Sequence, residues 1–167
     1  MSDQHQREAL VAAIHNTPPM IVLAVAGGGN AAITDLLDVP GASRTILEVR
    51  VPYAETAMID FLGGEVPDGA VSQRTAEAMA RACLLRAQFL APDQEVVLGV
   101  ACTASLASDR PKRGGHRAHV AIASTDGISH HLVSIVKGAL DRRGEDRVVA
   151  DAILRALAVA CGLQPLA

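Results

Sequence analysis

The apolar positions fall into two patterns. Residues 21–26 read I-V-L-A-V-A, an unbroken apolar run that stops at Gly27, Gly28 and Gly29. A short run of β-branched and small apolar residues bounded by glycine predicts a strand buried on both faces. Asn30 follows as a predicted helix cap, and Ala31, Ile33, Leu36 and Leu37 then recur at helical spacing. The same logic orders the rest of the chain. Residues 3–14 predict a helix, with Asp3 as its cap and Thr17-Pro18-Pro19 as its end. Asp38-Val39-Pro40-Gly41 is a turn, residues 45–51 a strand, and residues 53–62 a short helix stopped by Gly63-Gly64. Residues 66–70 predict a loop. Ser72 caps a long helix whose apolar face is Ala76, Met79, Ala80, Cys83, Leu84, Ala87 and Leu90, ended by Pro92-Asp93. Residues 95–101 form a second strand of the buried type, and residues 102–115 predict a long loop. Residues 117–124 and 129–136 predict a hairpin around Thr125-Asp126-Gly127. A closing helix carries Val149, Ala152, Ile153, Ala156, Leu157 and Ala160, with Glu145 and Asp146 at its start, where carboxylates suit the helix dipole.

Helices alternating with buried strands and followed by a hairpin predict an α/β sandwich with a mixed sheet. In such sheets ligands collect at the carboxyl ends of strands, which predicts one crevice for residues 27–30 and 102–117. The 167 residues suit one domain, with 1–18 as an N-terminal helix and loop. Aromatic residues make up 2% and Trp is absent, so the core is built of Ala, Val, Leu and Ile, and no base-stacking platform is expected. The formal charge of −3 argues against a nucleic-acid polymer as partner. Cys83, Cys102 and Cys161 are odd in number and show no C-x-x-C, which fits a reducing cytoplasm. No secretory leader is read in the polar N-terminus, and no apolar run reaches the ~18 residues of a membrane span.

Charge is uneven, and this changes the picture. Residues 109–117 hold Arg110, Lys112, Arg113 and Arg117 against one acid, Asp109. That window is +3, so the remainder of the −3 chain carries −6. A basic loop on an acidic body predicts a small anionic ligand. The glycine turn leaves amide N–H groups and a helix dipole for an anion, and Thr103, Ser105 and the loop arginines add donors suited to phosphate. The competing readings are a ligand-free tight turn and a solvated basic loop. His116 is a candidate acid–base group or phosphate donor. His116 and His119, three apart on a strand, point to opposite faces, and His130-His131 has the same defect, so no metal site is expected. Cys102, Thr103 and Ser105 are nucleophile candidates without a visible base. Tyr53 stands at a strand–helix junction, facing a cleft or packing half-buried. No cofactor is expected.

Several segments resemble the CinA C-terminal domain, whose active members are nicotinamide mononucleotide deamidases. They are D-V-P-G-A-S (38–43), V-P-Y (51–53), F-L-G (61–63), G-A-V-S (69–72) with A-E-A-M-A (76–80), the strand 96–101 and G-E-D-R (144–147). The resemblance runs from about residue 21 to the C-terminus. It implies a single-domain, three-layer α/β/α sandwich with a mixed, mostly parallel sheet, and frequent homo-oligomers. In that family the first strand leads into E-S-C-T-G-G, whose Ser is the nucleophile. Here V-A-G-G-G-N stands there, which places Ala26 at the Ser and Val25 at the Glu. The family's Tyr is kept as Tyr53, but Met58 stands at the Lys that activates the Ser. The family's T-G-I-A-G-P becomes A-C-T-A-S-L (101–106), and Arg147 matches an Arg near the last helix. A methyl group has no oxygen to attack with and a thioether takes no proton, so a Ser–Lys route is lost.

Three readings follow. The first is a CinA-like domain that binds a phosphorylated small molecule, by class a mononucleotide, through Gly27, Gly28, Gly29, Asn30, Thr103, Ser105, Arg110, Lys112, Arg113, Arg117 and Arg147. The second is a hydrolase whose chemistry has moved to Tyr53, Cys102, Ser105 or His116. The third is a homo-oligomeric interaction module without catalysis.

Overall fold

The computed structural model describes residues 3–164. Its elements, in chain order, are α1 (Asp3–His15), β1 (Met20–Ala26), α2 (Asn30–Asp38), a 3-10 turn (Ala42–Arg44), β2 (Ile46–Arg50), α3 (Glu55–Leu62), α4 (Gln73–Leu90), β3 (Val97–Ser105), β4 (His116–Ser124), β5 (Gly127–Ile135) and α5 (Arg142–Ala160). The strands form one sheet in the order β2-β1-β3-β4-β5. β1 pairs in parallel with β2 and β3, whereas β4 runs antiparallel to both β3 and β5. Four of the five strands therefore share one direction, and the sheet is mixed.

Two apolar layers flank the sheet. One face, with Leu23, Val25, Val100, Cys102, Val120 and Ile122, packs on Val11, Ile14, Leu36, Ile153 and Leu157 from α1, α2 and α5. The other, with Val22, Ala24, Ala26, Ala101 and Ala121, packs on Met58, Ala76, Met79, Ala80 and Cys83 from α3 and α4. This second face is built from small side chains. A Cβ at Gly99 of β3 would lie 2.1 Å from the Ala80 carbonyl oxygen of α4, so only glycine lets this helix lie so close to the strand. Ser72 caps α4 by accepting from the Thr75 amide.

Four local expectations change. β3 continues to Ser105, because Cys102 and Thr103 pair with β1 and Ser105 still pairs with Arg117 of β4. Cys102, Thr103 and Ser105 are thus strand residues, and the loop shrinks to residues 106–115. α3 begins at Glu55, two residues after Tyr53. Leu90, at the end of α4, is exposed. The second strand of the hairpin begins at Gly127 rather than at residue 129, with Ser124 opposite Gly127 and a φ of 143° at Gly127. The sheet nevertheless puts the ends that matter together: the carboxyl ends of β1 and β3, the start of β4 and the end of β5 lie along one rim.

Candidate functional site

The glycine turn is folded tightly onto β3. Gly27 has φ +81°, and a Cβ there would lie 2.0 Å from the Ala104 carbonyl oxygen. Gly28 and Gly29 are buried behind it. The amides at the start of α2 are already bonded. Asp146 Oδ1 accepts from Gly29 N at 2.7 Å and from Asn30 N at 3.1 Å, and Oδ2 accepts from Ala31 N at 3.0 Å. A carboxylate from α5 thus occupies the position that the strand–turn–helix pattern reserved for an external anion. The Asn30 side chain makes no cap; Gly29 is the capping residue, with φ 91°. Arg142 closes the turn from the other side, donating to Gly27 O at 2.8 Å and Ala107 O at 3.1 Å.

In front of the turn is a cavity of about 530 Å³ lined by Ala26, Gly27, Tyr53, Met58, Thr103 and the 66–71 segment. Tyr53 is exposed at its mouth, while Ala26 and Met58 are buried in its wall. The Thr103 hydroxyl donates to Ala70 O at 2.5 Å. Arg117 Nη2 donates to Val71 O at 2.9 Å, so one guanidinium of the basic window reaches a wall residue of the cavity. The cavity holds Gly27, Tyr53 and Thr103 of the expected site residues, with Arg117 beside it.

The others lie elsewhere. Arg110 and Lys112 line a neighbouring hollow of about 330 Å³ together with His116 and Lys137. Ser105 is half-buried and lines neither space, its Oγ accepting from Lys112 Nζ at 3.3 Å. Arg113 is exposed and makes no hydrogen bond or ion pair with the described residues. Cys102 points to the opposite face of the sheet, fully buried, and burial pushes its thiol far above the ordinary range. A thiolate nucleophile is not available there. Arg147 is remote from the cavity: it pairs with Asp35 of α2 at 2.5 Å and Asp151 at 2.8 Å, beside Arg7 of α1. Arg147, expected among the ligand-binding residues, is therefore not in this cavity's lining.

Three features escaped the sequence. Glu145 and Asp146 serve other elements rather than their own helix, which Asp141 caps by accepting from Gly144 N. His119 stacks on His130 across β4 and β5, with Nδ1 of the first 2.9 Å from Nε2 of the second. Burial, and then their mutual charge and that of Arg117, lower His119. Among the described residues no three His, Cys, Asp or Glu side chains cluster as metal ligands. No described helix is long and apolar enough to cross a membrane.

No protein-family model matches the sequence, and no curated protein does. Solved structures do match. A competence/damage-inducible protein, CihA, from Agrobacterium tumefaciens is 24% identical, with 93% of this chain and 95% of that one covered and a TM-score of 0.69. A CinA-superfamily protein from Escherichia coli is 19% identical over 98% and 94% of the two chains, with a TM-score of 0.68. The chain has the CinA fold. A Klebsiella pneumoniae competence damage-inducible protein A (ComA) is similar at 18% identity, 96% coverage of each chain and a TM-score of 0.67. Within the CinA fold, the positions that the sequence resemblance assigns to the nucleophile, the Tyr and the Lys are Ala26, Tyr53 and Met58, and all three line one cavity.

Proposed function

We propose that this CinA-fold domain binds a phosphorylated small molecule, by class a mononucleotide, in the cavity at the carboxyl ends of β1 and β3, and does not hydrolyse it by a Ser–Lys route. The observation that carries the reading is the meeting of Ala26, Tyr53 and Met58 in that cavity. Three positions far apart in sequence converge where a reaction would run, yet a methyl and a thioether stand where attack and proton transfer need an oxygen and an amine. The space of about 530 Å³ suits a small organic ligand. Its apolar walls take a ring, Tyr53 offers an aromatic edge, and Arg117 offers a charged donor to a phosphate. The triple glycine contributes through Gly27 alone, since the amides from Gly29 to Ala31 are committed to Asp146.

Calorimetry with nicotinamide mononucleotide and adenosine monophosphate tests this. Binding is expected for at least one, lost in Ala26→Leu, which fills the cavity, and weakened about tenfold in Arg117→Ala. Ammonia release from nicotinamide mononucleotide is expected to stay at the buffer rate. No binding at millimolar ligand, or affinity unchanged by Ala26→Leu, overturns the reading. Assembly into a homo-oligomer is a separate proposal, for which the exposed Leu85 and Phe89 of α4 offer an apolar surface. Light scattering of wild type against Phe89→Glu decides it.

A further inference from the structure

The smaller hollow shares no lining residue with the cavity and has a different chemistry. His116, at the start of β4, is only 7% exposed. Its Nδ1 lies 2.6 Å from Oε1 of Glu145, a side chain with no exposure at all. The second oxygen of Glu145 accepts from Ala107 N at 2.6 Å. Both carboxylate oxygens are thus engaged, and Nδ1–H is the donor in the pair. Nε2 has no partner among the described residues, yet no buried side-chain nitrogen or oxygen there lacks one. Nε2 therefore opens into the hollow that His116 lines.

Three cations line or reach the same hollow. Lys112 Nζ is held by Leu106 O at 2.7 Å and Ser105 Oγ at 3.3 Å. Lys137 Nζ is held by the Lys112 and Gly114 carbonyls. The Arg110 guanidinium makes no hydrogen bond or ion pair with the described residues. Among the described residues none of the three cations forms an ion pair, although Asp109 lines the same hollow. Cations pinned by carbonyls and aimed with an oriented imidazole into one space make a site for a polyvalent anion.

We infer that this hollow is a phosphate site. His116 Nε2 shares a proton with one phosphate oxygen, and Lys112, Lys137 and Arg110 hold the others. Glu145 is a positioning residue: it fixes the ring through Nδ1. The phosphate is either free or the monoester end of a larger molecule. This assignment is independent of the cavity, because a ligand in one does not need the other.

The test is nuclear magnetic resonance of the His116 Cε1–H, assigned with His116→Asn, during titration with inorganic phosphate at constant ionic strength. A saturable shift is expected, with no such shift from chloride. Lys112→Met and Lys137→Met are each expected to weaken binding about tenfold, and the pair together more. Glu145→Gln is expected to move the ring nitrogen shifts away from the Nδ1–H tautomer, which a purely structural role would leave in place. Ala26→Leu should leave phosphate affinity unchanged while abolishing mononucleotide binding in the cavity, so the two proposals fail separately. A mononucleotide that displaces inorganic phosphate from His116 identifies the monoester as the occupant. A shift that does not saturate, or one equal in the double lysine variant, overturns the assignment.

Discussion

Asp146→Ala removes the carboxylate that closes α2. Three amide hydrogen bonds are lost, at 2.7, 3.1 and 3.0 Å. Hydrogen bonds to a charged partner contribute about 1.5–3 kcal/mol each, and a lost helix cap costs about 1 kcal/mol. The three are not additive. Asn30 is exposed, so water replaces its bond at little cost, whereas Gly29 is buried and Ala31 half-buried. Two poorly replaced bonds give an expected loss of about 3 kcal/mol. For a chain of this size that is a fall in Tm of roughly 6–12 °C. Asp146→Asn keeps one acceptor and loses the charge, so about half the loss is expected. Urea denaturation and thermal melts at pH 7.5 read both. Acetate should recover part of the Asp146→Ala loss and none in wild type, since it refills the vacated amides. A loss below about 1 kcal/mol for Asp146→Ala would refute the claim that this carboxylate holds the glycine turn.

Other perturbations follow from the same geometry. Gly27→Ala combines a left-handed φ of +81° with a Cβ 2.0 Å from Ala104 O, and should cost about 3 kcal/mol or more by denaturant midpoint. Arg147→Ala should leave mononucleotide affinity unchanged while lowering stability slightly, because its partners Asp35 and Asp151 lie away from the cavity. Thiol labelling of the native protein at pH 8 should modify half-buried Cys161 first and spare Cys102 and Cys83, the latter pushed up to about 12 by burial. His15 is buried between Thr45 Oγ1 at 2.7 Å and Leu36 O at 2.9 Å, and burial lowers it below its ordinary 6.5. The unfolded chain therefore binds the proton more readily. Its contribution is complete above pH ~6.5 and is lost as pH falls toward the folded value, so His15→Gln should flatten that part of a stability–pH curve.

The fold was readable because its signals are local or repeated. The apolar run 21–26 is buried on both faces, as a central strand must be, and Ser72 caps α4 as its position before an apolar stripe predicts. The strand expected over residues 95–101 stops short of Ser105 because Cys102 to Ser105 are small and weakly polar, and a strand buried between two neighbours needs no alternation. The site was only half readable. Gly27, Tyr53 and Thr103 share a cavity because parallel strands bring their carboxyl ends to one rim. Local sequence cannot tell which anion a helix N-terminus receives. The amides at residues 29–31 meet a carboxylate more than 110 residues away, and that pairing is set by packing of α5 on α2.

The first turn of α5 decides more of the site than the glycine turn does. Arg142 holds the carbonyls of Gly27 and Ala107. Glu145 holds the Ala107 amide and the His116 ring. Asp146 holds the start of α2, and Arg147 reaches Asp35 further along it. Successive residues on a helix point about 100° apart, so one turn reaches the glycine turn, the basic loop and β4 at once. The G-E-D-R segment is therefore a clamp on both hollows rather than a wall of either. Its charged side chains are consumed by protein partners, and this leaves Arg110, Lys112, Lys137 and Arg117 as the cations at the rim that remain available to a ligand, beside the carboxylates of Glu55 and Asp109. Anion affinity should accordingly follow the basic loop and Lys137, and fold stability should follow α5. A variant set in which Asp146→Ala changed phosphate affinity as strongly as Lys112→Met, at equal folded fraction, would break that division.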